Sequence, residues 1–112
     1  MVLDKQGGPN WFKNWCVAPV IVDPEKDEVS FTPLYYKMAH FSEFMRLGAV
    51  KIGCTINHKD LMATAVKNPD GTIAVVVFSR TVEKQSLEIK LNNQTEIISI
   101  DAKALQTVVI NP

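Results

Sequence analysis

Three aromatic side chains, Trp11, Phe12 and Trp15, fall within five residues that also carry Lys13 and Asn14, with Asn10 directly before them. That mixture suits a sugar. An aromatic face packs on the apolar face of a pyranose, and amide side chains hydrogen-bond its hydroxyls. The preceding Gly7-Gly8-Pro9 allows a sharp, stiff turn, because glycine tolerates positive φ and proline fixes φ. Asn10, Trp11, Lys13, Asn14 and Trp15 are therefore candidate sugar-contacting residues on a loop built to sit over a site. The competing reading gives Phe12 and Trp15 the plainer task of anchoring the loop to the fold.

Other chemistries find little support. Cys16 and Cys54 form no Cys-x-x-Cys pair, and His40 and His58 are the only histidines, so neither a metal nor a cofactor is expected. A chain of this size folds without staples, which favours two separate thiols over a disulfide. Lys plus Arg and Asp plus Glu both number 12, with no like-charged run long enough to track a phosphate backbone. Nucleic acid is not an expected partner. The apolar runs 73–78 and 107–110 fall well short of the roughly 20 residues that cross a bilayer, and no signal segment is recognised. The triplet Asn93-Gln94-Thr95 fits the N-glycosylation pattern, which matters only for a protein that enters a eukaryotic secretory route.

The elements that must position the candidate loop are mostly strands. Val20–Val22 and Glu28–Phe31 flank the charged turn 23–27 as a strand-loop-strand. Thr32 offers an N-cap hydroxyl, Pro33 suits the first helical position and Gly48 supplies a stop, which predicts a helix over 33–46. Its apolar residues make two stripes: Leu34, Met38, Phe41 and Met45, beside Tyr36, His40 and Phe44. Such a wide arc fits a helix held between two bodies, and His40 is expected to be a packed, hydrogen-bonded histidine rather than a catalyst. From Ala49 the period falls to two, with Val50, Ile52 and Cys54 alternating against Lys51 and Thr55. Residues 61–66 and 72–78 flank Asn68-Pro69-Asp70-Gly71, a hairpin turn with glycine at its left-handed position. Leu87, Ile89 and Leu91 alternate with Glu88 and Lys90, and 96–100 and 105–110 complete the set around Asp101-Ala102-Lys103. Short strands without intervening helices predict a mainly β protein, an antiparallel β-sandwich with one α-helix. The length, 112 residues, suits one domain that buries roughly two-thirds of its unfolded surface.

The segment from Met1 through Gly7-Gly8-Pro9-Asn10-Trp11 to Trp15 resembles the stretch that leaves the last barrel strand in family 30 glycoside hydrolases, the glucosylceramidases. The likeness continues, in order, through Ala18–Asp23, Tyr35–Phe44, Asn68–Gly71, Val75–Val77 and Arg80. Ala39, Glu43 and Val17 depart from residues usual at those places. The resemblance implies an Ig-like C-terminal β-sandwich of a glycosidase, with 1–17 the remnant of the last barrel strand and rim loop, and 18–112 the sandwich domain including the helix 33–46. It implies hydrolysis of a β-glucosidic bond by the parent enzyme, a glycoside substrate, and the parent's own TIM barrel as partner. Retaining hydrolysis needs two carboxylates about 5 Å apart, which the family draws from earlier barrel strands. The carboxylates from Asp23 to Asp101 fall mostly in turns and on polar strand faces, so no catalytic residue is assigned and the chain alone is not expected to be active. Two further readings stand beside this one: an autonomous carbohydrate-binding module using Trp11 and Trp15, and a protein-interaction domain docking a partner through the wide helix. Loss of a barrel would leave one helix stripe exposed, which predicts self-association through the helix or the Met1–Asp4 remnant.

Overall fold

The computed structural model describes residues 1–7 and 16–112. It divides into two compact units, Met1–Ala39 and His40–Pro112.

In the first unit, β1 (Val2–Asp4) lies parallel to β2 (Val20–Asp23), with Val2 beside Val20 and Asp4 beside Val22. β2 then turns back antiparallel into β3 (Glu28–Phe31), pairing Val20 with Phe31 and Asp23 with Glu28. The turn works because Asp27 accepts a positive φ of 53° and Asp23 Oδ1 accepts the Glu25 N–H at 3.1 Å. The order of this sheet is β1-β2-β3. Helix α1 follows directly, at Pro33–Ser42. It stops four residues before the end that the stop signal at Gly48 predicts, although one further helical bond runs from the Met45 N–H to the Phe41 carbonyl. Thr32 sits at the predicted N-terminus, and its carbonyl accepts from the Tyr35 N–H. Its hydroxyl, however, donates to the carbonyls of Ala18 and Pro19 at 2.8 and 3.1 Å, tying the helix start to the chain entering β2.

The second unit contains a four-stranded antiparallel sheet in the order β4-β5-β6-β9, made of Val50–Ile52, Leu61–Lys67, Ile73–Ser79 and Leu105–Ile110. A two-stranded ribbon, β7 (Gln85–Leu91) and β8 (Gln94–Ile100), packs over it. β4 ends at Ile52, so the alternation read through Cys54 does not continue as strand. β6 is an almost unbroken apolar run, Ile73-Ala74-Val75-Val76-Val77-Phe78, and it is buried nearly throughout because it is central in its sheet. β7 behaves oppositely. Leu87, Ile89 and Leu91 pack against Ala65, Ile73, Val75, Val77, Ile100 and Ile110, while Ser86, Glu88 and Lys90 face solvent. This is the antiparallel β-sandwich with one helix that the sequence predicts.

Two polar clamps hold the strand ends. Asn68 is 4% exposed; its Oδ1 accepts from the Arg46 N–H at 3.0 Å, and its Nδ2 donates to the Phe44 carbonyl at 2.9 Å and to Thr72 Oγ1 at 3.1 Å. The β5–β6 turn therefore also fastens the segment leaving α1. At the other end of β6, Ser79 and Thr81 share a 2.6 Å hydroxyl contact, Ser79 N–H bonds the Ala104 carbonyl, and Lys103 N–H bonds the Thr81 carbonyl. That clamp joins the exit of β6 to the β8–β9 turn, where Lys103 takes a positive φ of 55°.

Candidate functional site

The residues proposed from sequence for a substrate entrance, Asn10, Trp11, Lys13, Asn14 and Trp15, lie outside the described residues. What is described is the base from which that segment departs. Gly7 follows β1 by three residues, with φ +73° and its N–H bonded to the Asp4 carbonyl at 3.1 Å. A Cβ built on Gly7 would stand 2.7 Å from the backbone oxygen of Cys16. Gly7 and Cys16, the described residues on either side of 8–15, thus lie in close backbone contact. Glycine is required at the pinch for two separate reasons, the positive φ and the backbone approach.

Beside this base lies a charge cluster that sequence reasoning missed. Lys5 Nζ bonds Glu25 Oε2 at 2.5 Å and lies 3.4 Å from Asp23 Oδ1, linking the exit of β1 to the exit of β2. The Glu25 bond, with the Asp23 charge behind it, holds the Lys5 ammonium above its ordinary pKa of 10.5. These carboxylates are therefore engaged by a cation at the surface, which ties the exit of β1 to the exit of β2. The parallel β1–β2 register is what brings residues 5, 23 and 25 together, and an eighteen-residue separation gives no local signal for it.

His40 is half-buried, with Nδ1 2.9 Å from Thr107 Oγ1 on β9, a packed and hydrogen-bonded position as the sequence predicts. His58 Nδ1 accepts the Asp60 N–H at 3.1 Å and so closes its own turn. Cys16 and Cys54 are free thiols. A cavity of about 590 Å³ runs between the ribbon and the larger sheet, floored by Leu61, Ala63, Ala65 and Val75 and bordered by Cys54 and His58. Among the described residues, no group of three or more His, Cys, Asp or Glu is placed to hold a metal. Tyr35 stacks obliquely on Phe31, at 4.6 Å between centroids, and meets Tyr36 edge-on at 5.3 Å. Phe31, Tyr35 and Tyr36 are nonetheless exposed, as are Leu34, Met38 and Phe41 on α1.

The model of the glycosyl hydrolase family 30 beta sandwich domain matches residues 48–108, more than half of the 112-residue chain. The chain belongs to glycosyl hydrolase family 30. The TIM-barrel domain of the same family matches residues 1–45, a span that takes in β1 and α1 and ends three residues before Gly48. Among curated members, lysosomal acid glucosylceramidase of Mus musculus is 37% identical over 90 residues, covering 80% of this chain and 18% of the relative. Putative glucosylceramidase 2 of Caenorhabditis elegans is 39% identical over 93 residues, again covering 80% of this chain and 18% of the relative. The chain thus spans under a fifth of the length of the family 30 relatives it matches. Among solved structures, SrfJ from Salmonella typhimurium superposes with a TM-score of 0.93 at 24% identity, over 99% of this chain and 25% of that one. An endo-β1,6-glucanase superposes with a TM-score of 0.83 at 22% identity, over 95% and 24%. These two likenesses establish the fold.

Proposed function

We propose that residues 1–112 are the end of the barrel and the accessory β-sandwich of a glucosylceramidase-like retaining β-glycosidase, which hydrolyses the β-glucosidic bond of a glycosphingolipid or related glycoside. The observation that carries this reading is the order of the two domain matches in one chain, barrel then sandwich, with glucosylceramidases as the curated relatives. The sandwich buttresses the barrel. The 8–15 segment, rooted by Gly7 and Cys16 at the C-terminal end of β1, lines the substrate entrance, as loops at that end of a barrel strand do. Trp11 stacks on the sugar, and Asn10, Lys13 and Asn14 hydrogen-bond it, with Trp15 beside them. Catalytic carboxylates come from barrel strands outside these residues. The exposed aromatic surface of β3 and α1 is covered by the barrel, and associates with a second copy when no barrel covers it. The lysosomal naming of one relative supports entry of the parent into the secretory route.

The experiment is to express the full-length parent alongside residues 1–112 and assay both on an aryl β-glucoside. The parent is expected to turn over with retention of anomeric configuration, and the 112-residue chain to give buffer background. Trp11→Ala in the parent should lower kcat/KM at least tenfold with its thermal stability unchanged. Turnover by the purified 112-residue chain that tracks the protein through repurification would overturn the accessory-domain reading.

A further inference from the structure

The exposed tip of the β7–β8 ribbon carries the sequence triplet Asn93-Gln94-Thr95. Its structural setting is specific. Asn92 and Asn93 are the two-residue connection between the strands, closing on the Leu91–Gln94 pair, and Asn92 takes the positive φ of 49° that the tight reversal demands. Asn93 is therefore at the outermost point of the ribbon. Residues 92–97 are all exposed, and no hydrogen bond engages the Asn93 carboxamide among the described residues. Thr95 pairs with Lys90 on the outward face, two residues before Ile97, which is 76% exposed.

We propose that Asn93 is an N-glycan attachment site. The reaction is a glycosyl transfer whose co-reactant is a lipid-pyrophosphate-linked oligosaccharide. The Asn93 amide nitrogen bonds C1 of the first sugar, the C1–O bond to the lipid pyrophosphate breaks, and the amide loses one proton as the pyrophosphate departs. Gln94 in the middle place meets the requirement for a residue other than proline, and the Thr95 hydroxyl supplies the recognition element. The folded ribbon accommodates the product, since a glycan at the tip projects into solvent and displaces no packed side chain.

Placement at this tip also has a physical use. β7 and β8 form a two-stranded sheet, so each has an outer edge without a strand neighbour among the described residues, and open edges invite pairing with other chains. Ile97 adds an apolar residue to that face at a distance of about 13 Å along β8 from Asn93, at roughly 3.3 Å per residue. A branched, hydrated oligosaccharide reaches that far and screens both the apolar side chain and the approach to the edges.

The inference rests on one part of the proposed function, entry of the parent into the secretory route, and its test requires no hydrolase activity. Residues 1–112 are expressed in a eukaryotic cell line behind a cleavable secretory leader, and in parallel translated in the presence of microsomal membranes, where transfer to the nascent chain needs no folding. The expected result is one species whose mobility shift is removed by a peptide N-glycosidase, with Asn93 converted to aspartate in the released peptide. Asn93→Gln, Thr95→Ala and Gln94→Pro should each abolish the shift, and Thr95→Ser should retain it. A wild-type chain without glycosidase-sensitive shift in the microsomal translation, or a shift that persists in Asn93→Gln, would overturn the assignment. For the screening role, the secreted glycoprotein should sediment no larger than the dimer that the uncovered β3 and α1 surface supports, at concentrations where its enzymatically deglycosylated form sediments as aggregate. Identical sedimentation of the two would overturn that part.

Discussion

Asn68→Ala removes the side chain that fastens the β5–β6 turn to the segment leaving α1, and its cost can be built from the contacts. Three hydrogen bonds are lost, to the Arg46 N–H, the Phe44 carbonyl and Thr72 Oγ1, from a residue only 4% exposed. At about 1 kcal/mol net for each bond, the loss is about 3 kcal/mol. Stranding the part-buried backbone groups of Phe44 and Arg46 adds about 1 kcal/mol more. Against a typical domain stability of 5–15 kcal/mol, roughly, that is a large fraction. For a unit of this size it corresponds to a fall in Tm of about 15 °C or more. Urea unfolding followed by far-ultraviolet circular dichroism measures it directly. Asn68→Asp separates the contributions, because the carboxylate still accepts from the Arg46 N–H but cannot donate to the Phe44 carbonyl or to Thr72 Oγ1, whose one proton goes to Asp70; the loss of two bonds should cost about 2 kcal/mol. An Asn68→Ala variant within 0.5 kcal/mol of wild type, roughly the scatter of ordinary surface substitutions, would refute the clamp.

Ile100 is fully buried at the end of β8 while Ile97 is 76% exposed, so Ile100→Ala should cost about 3–4 kcal/mol and Ile97→Ala under about 0.5 kcal/mol in the same unfolding assay. The Asp70 carboxyl lies below its ordinary 3.8, because the Thr72 hydroxyl and N–H bond it and Arg46 sits nearby. A depressed carboxyl contributes stability that is present above the unfolded value and lost as pH falls through the folded one. Stability should therefore drop below pH 3.8, and Asp70→Asn should flatten that part of the pH profile. Gly71→Ala should cost about 1 kcal/mol for its left-handed backbone alone, since φ is +88° and no atom lies within 4 Å of the new Cβ. Gly7→Ala adds a 2.7 Å clash with the Cys16 oxygen to its positive φ, and should displace backbone amide resonances at both Asp4–Gly7 and Cys16–Ala18; unmoved resonances at Cys16–Ala18 would contradict the pinch.

How far the sequence alone carried depends on the range of the force involved. The alternation of Leu87, Ile89 and Leu91 with charged neighbours fixed which face of β7 goes inward, because side chains alternate across any strand. Pro69, Asp70 and Gly71 likewise determined the β5–β6 turn, since proline and glycine act on their own backbone dihedrals. The resemblance in the 1–15 segment and in Tyr35–Phe44 pointed to the family, and both domain matches agree with it. The rim residues Asn10 to Trp15 remain a proposal drawn from their types and spacing, with only their root described.

Tertiary structure decided the rest. Helix α1 ends at Ser42 although its apolar stripe and the stop at Gly48 extend the pattern to 46, because Asn68, two dozen residues away, takes the Phe44 carbonyl and the Arg46 N–H for itself. The Thr32 hydroxyl turns to Ala18 and Pro19 for the same kind of reason: a nearby carbonyl from another part of the chain competes with the helix N-terminus. Lys5 meets Asp23 and Glu25 only because β1 and β2 run parallel, and Ser79 with Thr81 reaches the β8–β9 turn only once the sandwich has closed. Local propensity is written in neighbouring residues. A hydrogen bond between residues far apart in the chain exists only after folding has brought them together, and no periodicity announces it.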